Sequence, residues 1–174
     1  MNEHSLDEQV NDLMRQERWR EAIALCESTP SATISLEVSW NWAWAYFKLD
    51  EFSTARVRFE NILVKQPEHP ATLLGLGVVL YRLGILDEAK RYLKRALELK
   101  DLTTARLTLA LSFMEEGDFA SAEQVHLEGL KLRPESVERI KAYADFLSDA
   151  GREDEAEVQY SRAKRLGGEN HQPE

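Results

Sequence analysis

The sequence predicts an all-α fold made of about five consecutive helix-turn-helix repeats. Three observations predict it: an alanine-containing phrase recurs at a nearly constant interval, small residues recur at fixed places before it, and glycine or proline recurs near the expected helix ends. Such a period is typical of helical arrays in which each repeat buries its apolar face against its neighbours. The chain has 174 residues, of which 43% are hydrophobic, so it can form one domain with a core.

The period is clearest at five alanines in equivalent positions. They are separated by 33, 34, 33 and 34 residues and are Ala22, Ala55, Ala89, Ala122 and Ala156. Each follows a turn phrase such as Gly84-Ile85-Leu86-Asp87-Glu88. Five occurrences at this interval indicate a structural repeat of about 34 residues.

These residues resemble the signature of the tetratricopeptide repeat family, a helix-turn-helix unit of 34 residues with Leu-Gly, Tyr, Ala, Phe and Pro at fixed offsets. The second repeat carries Trp42-Ala43, Tyr46, Ala55, Phe59 and Pro67 at those offsets. The third carries Leu76-Gly77, Leu80, Gly84, Ala89 and Leu93. The resemblance covers nearly the whole chain.

The resemblance implies a right-handed α-solenoid of about five such repeats, and we expect one solenoid over residues 1–166. The expected repeats span about 3–35, 36–69, 70–102, 103–136 and 137–166, and we expect 167–174 to form a flexible C-terminal tail. Two repeats depart from the pattern, because Cys26 and His126 stand where a large aromatic residue is usual.

The recurring small residues have a physical explanation. Gly77 and its equivalents allow two helices to approach closely, and larger residues fill the remaining space. Gly84, Gly117 and Gly151 each follow the first helix of a repeat. A residue in the left-handed backbone conformation ends such a helix, and glycine adopts this conformation at a lower free-energy cost than residues with a Cβ atom. Pro67 and Pro134 stop the second helices of their repeats.

Composition excludes several classes of partner. The net charge is -9 and the isoelectric point is about 5.1, which argues against nucleic acid and against anionic membrane surfaces. The longest nearly apolar run, residues 71–80, is too short to insert across a membrane. We expect a cytoplasmic protein, although a periplasmic protein whose signal peptide had been removed would have the same composition.

No residue pattern indicates catalysis. His4, His69, His126 and His171 lack the spacing of metal ligands, and His126 is expected to be a packing residue. Cys26 is the only cysteine and occupies a core position of its repeat, which favours a buried structural thiol. We therefore expect no enzymatic activity, no catalytic residue, no metal and no cofactor.

The first helices of the repeats carry residues that the packing signature leaves free. These residues predict a concave groove, polar at its ends and apolar in the middle, formed by Trp40, Asn41, Trp44, Leu74, Val78, Arg82, Leu107 and Leu111. Trp40 and Trp44 lie one helical turn apart on the groove side, whereas Trp42 points nearly the opposite way and is expected in the core.

An apolar stripe of this kind usually marks an interaction site. The sequence therefore predicts a scaffold or chaperone-like adaptor whose partner is another protein or peptide with large apolar anchors. Two alternatives stay open: the stripe mediates homodimerisation or assembly into a larger complex, or it is covered by the chain's own terminus or simply tolerated. We expect that replacing both Trp40 and Trp44 by alanine abolishes partner capture and changes melting little.

Some tetratricopeptide repeat proteins bind acidic C-terminal tails of chaperones through a clamp of basic residues and asparagines. Asp7, Ala71 and Gly75 stand here where basic clamp residues are expected, so the sequence argues against a clamp. The apolar groove is more similar in character to that of repeat chaperones of type III secretion translocators.

Overall fold

The computed structural model describes residues 5–30 and 33–169 of the chain. In these residues ten helices follow one another with no strand: α1 (Leu6–Arg15), α2 (Trp19–Ser28), α3 (Leu36–Lys48), α4 (Phe52–Lys65), α5 (Pro70–Arg82), α6 (Leu86–Leu99), α7 (Thr103–Glu115), α8 (Phe119–Leu132), α9 (Val137–Asp149) and α10 (Glu153–Glu169). The predicted all-α arrangement of helix-turn-helix repeats is confirmed. His4, His171 and residues 170–174 of the expected tail lie outside the described residues.

Consecutive helices pack in pairs as five hairpins, α1 with α2 through to α9 with α10. The first hairpin also forms, although Cys26 departs from the repeat signature, but α1 and α2 are shorter than the other helices, with 10 residues each. The chain divides into two compact units, Met1–Lys100 with α1 to α6 and Asp101–Glu174 with α7 to α10. The expectation of a single solenoid over residues 1–166 stays a prediction.

The turn inside each described hairpin contains one residue with a positive φ angle. Gly84, Gly117 and Gly151 have φ angles of 73°, 77° and 75°, which confirms the predicted left-handed glycines. The first two hairpins use Glu17 and Asp50 at the equivalent position, with φ angles of 57° and 59°. The same turn is therefore formed five times, and only three of the five positions carry the residue that adopts it without strain.

Small residues allow the helices of a hairpin to pack closely, as the sequence predicts. A Cβ atom added to Gly77 in α5 would lie only 2.6 Å from Cγ of Leu93 in α6. Leu93 is fully buried, and it cannot retreat without disturbing the core. A side chain at position 77 would therefore force α5 and α6 apart.

The helix ends agree with their local sequence signals at most positions. Ser5 forms a capping box with Glu8 at the start of α1, and Pro67 and Pro134 follow the ends of α4 and α8. The exception is α10, which continues through Gly167 and Gly168, beyond the expected end at Leu166. Glycine costs a helix only about 1 kcal/mol per residue relative to alanine, too little to stop a helix that is already packed.

A buried ion cluster joins helix ends in the second unit. The guanidinium of Arg139 in α9 is 4% exposed, and it donates hydrogen bonds to the Gly129 carbonyl at 2.8 Å and to the Asp101 carboxylate at 2.7 Å. Arg106 in α7 pairs with the same carboxylate at 2.9 Å. Burial raises the pKa of Asp101, but the hydrogen bonds from Arg106 and Arg139 outweigh it and hold this pKa below its usual value.

Cys26 lies in a small cluster with Val10 and Val38, and all three side chains are fully buried. Burial raises the pKa of the Cys26 thiol to about 11, so the thiol stays protonated at neutral pH. The expectation of a buried structural thiol is therefore confirmed.

Candidate functional site

The predicted groove residues lie on first helices of three repeats. Six belong to the first unit, where Trp40, Asn41 and Trp44 lie on α3 and Leu74, Val78 and Arg82 on α5; Leu107 and Leu111 lie on α7 of the second unit. A hydrogen bond of 3.2 Å from Nε1 of Trp40 to the carbonyl of Ala71 holds α3 against α5. Leu74 and Val78 follow Ala71 at intervals of about one helical turn, on the same side of α5.

Three aromatic rings stack along α3, and we call Trp40, Trp44 and Phe47 the aromatic stack. The ring centroids of Trp40 and Trp44 are 5.3 Å apart with an interplanar angle of 16°, and those of Trp44 and Phe47 are 4.6 Å apart with an angle of 24°. All three side chains are half-buried. The stack therefore keeps part of its apolar surface open to solvent, and its rings fix one another in place.

Two further rings continue the aromatic stack at its ends. Phe59 of α4 meets Trp40 edge-on at 5.9 Å, and it occupies the space that a side chain at Gly75 would need. Phe52, also of α4, lies 5.6 Å from Phe47. Contacts with these two α4 side chains therefore hold the aromatic stack in place.

The polar groove residues of the first unit have partners within the chain. Arg82 lies 4.5 Å from the centroid of the Phe52 ring and pairs with Asp50 at 3.2 Å. Nδ2 of Asn41 donates to Oδ1 of Asn11 at 2.7 Å, which links α3 to α1. These side chains hold the helices around the aromatic stack.

The sequence analysis missed Phe47 as a member of this surface. Trp40, Trp44 and Phe47 follow the spacing of residues on one face of a helix, separated by four and three positions. This spacing was the signal that identifies Phe47.

Trp42 faces away from the aromatic stack. It packs against the cluster of Val10, Cys26 and Val38 but is only half-buried. Its remaining face is covered by Arg58, whose guanidinium lies 3.5 Å from the ring centroid. A cavity of about 460 Å³, which the sequence did not predict, adjoins Trp42 and Arg58 on this side of the hairpin.

The packing of Trp40 conflicts with one expectation from the sequence. Loss of this ring removes a hydrogen bond to α5 and an aromatic contact with Phe59, so a Trp40→Ala, Trp44→Ala double variant should lower stability by about 2 kcal/mol or more. A test of binding therefore needs substitutions at positions that contribute less to the stability of the fold.

In the second unit, Leu107 and Leu111 line a cavity of about 370 Å³, which we call the α7–α9 cavity. Leu111 is 42% exposed, the most open of the predicted apolar groove residues. The other lining residues are Met114, His126, Glu138, Lys141, Ala142, Asp145, Phe146 and Asp149. Residues from α7, α8 and α9 thus meet at one site.

His126 of α8 is 8% exposed and reaches the α7–α9 cavity. Its ring centroid lies 5.2 Å from that of Phe146 and 6.0 Å from that of Tyr143, which confirms the expected packing role. Burial lowers the pKa of His126 to about 4, although the charges of Asp145 and Glu123 oppose this shift. The imidazole is therefore neutral at neutral pH.

The described residues contain no group of three or more His, Cys, Asp or Glu side chains placed to hold a metal ion. Among the helices described, none has both the length and the apolar character needed to cross a membrane.

Helical hairpins repeated every 34 residues or so define a helical repeat protein. The sequence model of the tetratricopeptide repeat family matches residues 41–102, which cover α4, α5, α6 and most of α3. Together with the five equivalent hairpins, this match shows that the chain has a tetratricopeptide repeat fold.

Solved structures with the same fold support this assignment. A tetratricopeptide repeat protein from Parabacteroides merdae has a TM-score of 0.80 at 21% identity, with 92% of this chain and 64% of that chain covered. A crystal structure of MamA has a TM-score of 0.75 at 15% identity, covering 92% and 95% of the two chains. MamA AMB-1 has a TM-score of 0.72 at 21% identity, covering 95% and 99%. At these identities the likeness shows the fold.

Proposed function

We propose that the protein is a non-enzymatic interaction scaffold or chaperone-like adaptor that binds an apolar peptide or helix of a partner on the first helices of its repeats. The observation that carries this proposal is the half-buried aromatic stack on α3, which lies beside Leu74 and Val78 of α5. Repeat proteins of this type bind partners on extended surfaces built from successive repeats. A cytoplasmic location is part of the proposal, and the buried, protonated thiol of Cys26 is compatible with a reducing compartment.

The size of the available apolar surface limits the kind of partner. Covering apolar surface gains about 25 cal/mol per Å², whereas a micromolar complex needs roughly 8 kcal/mol beyond the costs of association. The aromatic stack alone is half-buried already and cannot supply this free energy. The partner therefore needs two or three large apolar anchors that contact several helices at once.

Selection of displayed random peptides on the full chain tests the proposal. We expect the selected peptides to carry several large apolar residues and to change the tryptophan fluorescence, because all four tryptophans lie in the first unit. The Val78→Gln substitution should then weaken binding about five- to tenfold, since one apolar contact contributes roughly 1 kcal/mol.

Val57→Gln is the matched control for Val78→Gln. Val57 lies on α4, is 53% exposed and is outside the predicted groove. Equal loss of binding in both variants, or selected peptides without apolar anchors, contradicts the proposal. If the wild type self-associates in sedimentation equilibrium and Val78→Gln abolishes this self-association, the surface mediates homodimerisation and not peptide binding.

A further inference from the structure

The α7–α9 cavity combines an apolar floor with an acidic rim. Leu107, Leu111, Met114 and Phe146 supply apolar surface, and Leu111 remains 42% exposed. The rim consists of exposed charged residues, and three of the four are acidic: Glu138, Asp145, Asp149 and Lys141. The rim thus carries a net charge of about -2 around an apolar surface.

The acidic residues differ in their existing partners. Asp145 accepts a hydrogen bond of 2.6 Å from the hydroxyl of Tyr160, which fixes its carboxylate. Glu138 and Asp149 form no hydrogen bond or ion pair with any residue in the described part of the chain. They lie at opposite ends of α9, so each carboxylate can pair with a different basic side chain at the edge of the cavity.

His126 adds a neutral polar group to the lining of the cavity. Its side chain is 8% exposed and lines the cavity, yet its ring forms no hydrogen bond within the described part of the chain. A neutral imidazole has one donor and one acceptor nitrogen, and neither His126 nitrogen is among the fully buried side-chain atoms that lack a partner, so both can meet a group that enters the cavity. A polar group of a bound segment can therefore replace solvent at this ring, beside the apolar floor.

We propose that the α7–α9 cavity binds a basic amphipathic segment of a partner protein. A large apolar residue of the segment contacts Leu107 and Leu111, and basic residues on either side of it pair with Glu138 at the start of α9 and with Asp149 at its end. This inference rests on the proposed function and names the charge of the partner. The chain's own net charge of -9 disfavours both an acidic segment and a second copy of this chain at an acidic rim.

Two synthetic peptides that differ only in charge test the inference. Each has about 18 residues, roughly five helical turns, with the same leucine pattern and with either lysine or glutamate at every polar position. Fluorescence anisotropy with the full chain at about 0.15 M salt should show the lysine peptide binding at least about tenfold more tightly than its glutamate twin. The methyl resonances of Leu107 and Leu111 should shift when the lysine peptide binds.

Paired charge-removing variants distinguish the cavity from general electrostatic attraction. Glu138→Gln with Asp149→Asn should weaken binding of the lysine peptide about five- to tenfold, because the ammonium groups lose their partners. The matched control, Asp154→Asn with Glu157→Gln, removes the same charge from exposed positions on α10 outside the cavity lining. This control should change the affinity by less than about twofold at this salt concentration.

Three results would overturn the inference. They are equal weakening in the control variant, binding of the glutamate peptide at least as tight as that of the lysine peptide, and binding that leaves the Leu107 and Leu111 methyl groups unshifted. A glutamate peptide that binds and changes the tryptophan fluorescence refutes the basic partner but agrees with the proposed function. Peptide selection and Val78→Gln report on the first unit separately, so the two claims can fail independently.

Discussion

At the scale of single residues, the turns of the first two hairpins contain local strain. Glu17 and Asp50 adopt the left-handed conformation that glycine adopts in the other three turns. A residue with a Cβ atom pays roughly 1 kcal/mol or more for this conformation, although aspartate tolerates it better than glutamate. Tertiary packing of the hairpins therefore fixes a turn that the local sequence does not favour.

The Glu17→Gly substitution should stabilise the protein. Relief of the left-handed strain gains about 1 kcal/mol, and the greater freedom of glycine in the unfolded chain offsets part of it, so we expect a net gain of roughly 0.5 kcal/mol. Urea denaturation measures this difference. Gly84→Ala is the reciprocal control, because an added Cβ atom there meets no other atom within 4 Å and its cost comes from the backbone alone. Destabilisation by Glu17→Gly would contradict the assignment of strain.

His126 should make stability depend on pH. Its pKa is about 4 in the folded protein and about 6.5 in an unfolded chain, so the unfolded state alone binds a proton between these values. His126 has little effect on the free energy of unfolding above pH 6.5. This free energy decreases as the pH falls from 6.5 to 4, and below pH 4 the whole contribution of the neutral imidazole is lost. The loss from this group between pH 7 and pH 5 should be roughly 2 kcal/mol.

The His126→Phe variant provides the control for this pH dependence, since phenylalanine does not titrate and is the usual residue at this repeat position. Urea denaturation at about pH 7 and pH 5 should show a smaller decrease in the variant than in the wild type, by the roughly 2 kcal/mol attributed to the imidazole. Parallel decreases in the two proteins would show that His126 is not the group responsible.

At the scale of helices and hairpins, the second unit depends on a buried charge. Arg139 is nearly inaccessible to solvent, and its guanidinium relies on the Asp101 carboxylate and the Gly129 carbonyl. The cluster ties the segment before α7 to α8 and α9, the same helices that line the α7–α9 cavity. Its role is therefore to hold the three helices in register around the cavity.

The Asp101→Asn substitution should cost about 2 to 4 kcal/mol of unfolding free energy, because it leaves the buried Arg139 without an anionic partner. Asp12→Asn is the matched control: Asp12 pairs with Arg15 at a similar distance of 2.7 Å, but both side chains are exposed. Its cost should be below about 1 kcal/mol. Similar losses in the two variants, measured by urea denaturation, would contradict a structural role for the buried cluster.

At the scale of the whole molecule, the fold could be predicted because the same constraints recur. Ala89, Gly84 and their equivalents each carry a weak signal, but five repetitions at one interval leave few alternatives. The boundaries were less certain where the signals were weak, as at Gly167 and Gly168, which are helical. Helix propensity alone cannot say whether a packed helix continues through such residues.

The candidate site could be predicted only in part. Helical spacing placed Trp40 and Trp44 on one face, but it gave no sign that Trp40 bonds to Ala71 or stacks against Phe59. Leu107 and Leu111 were predicted to face the groove, but helical spacing gave no sign that His126 of α8 and Phe146 of α9 line a cavity with them. Both features depend on tertiary contacts, and a one-dimensional period does not encode them.

Amide chemical-shift mapping with a selected apolar peptide tests the central claim most directly, which is that the first helices of the repeats form the binding surface. The largest shifts should lie on α3 and α5, around the aromatic stack, Leu74 and Val78, and binding should weaken about five- to tenfold in Val78→Gln while Val57→Gln binds normally. Shifts confined to α4 and α6, with equal binding by both valine variants, would contradict the claim.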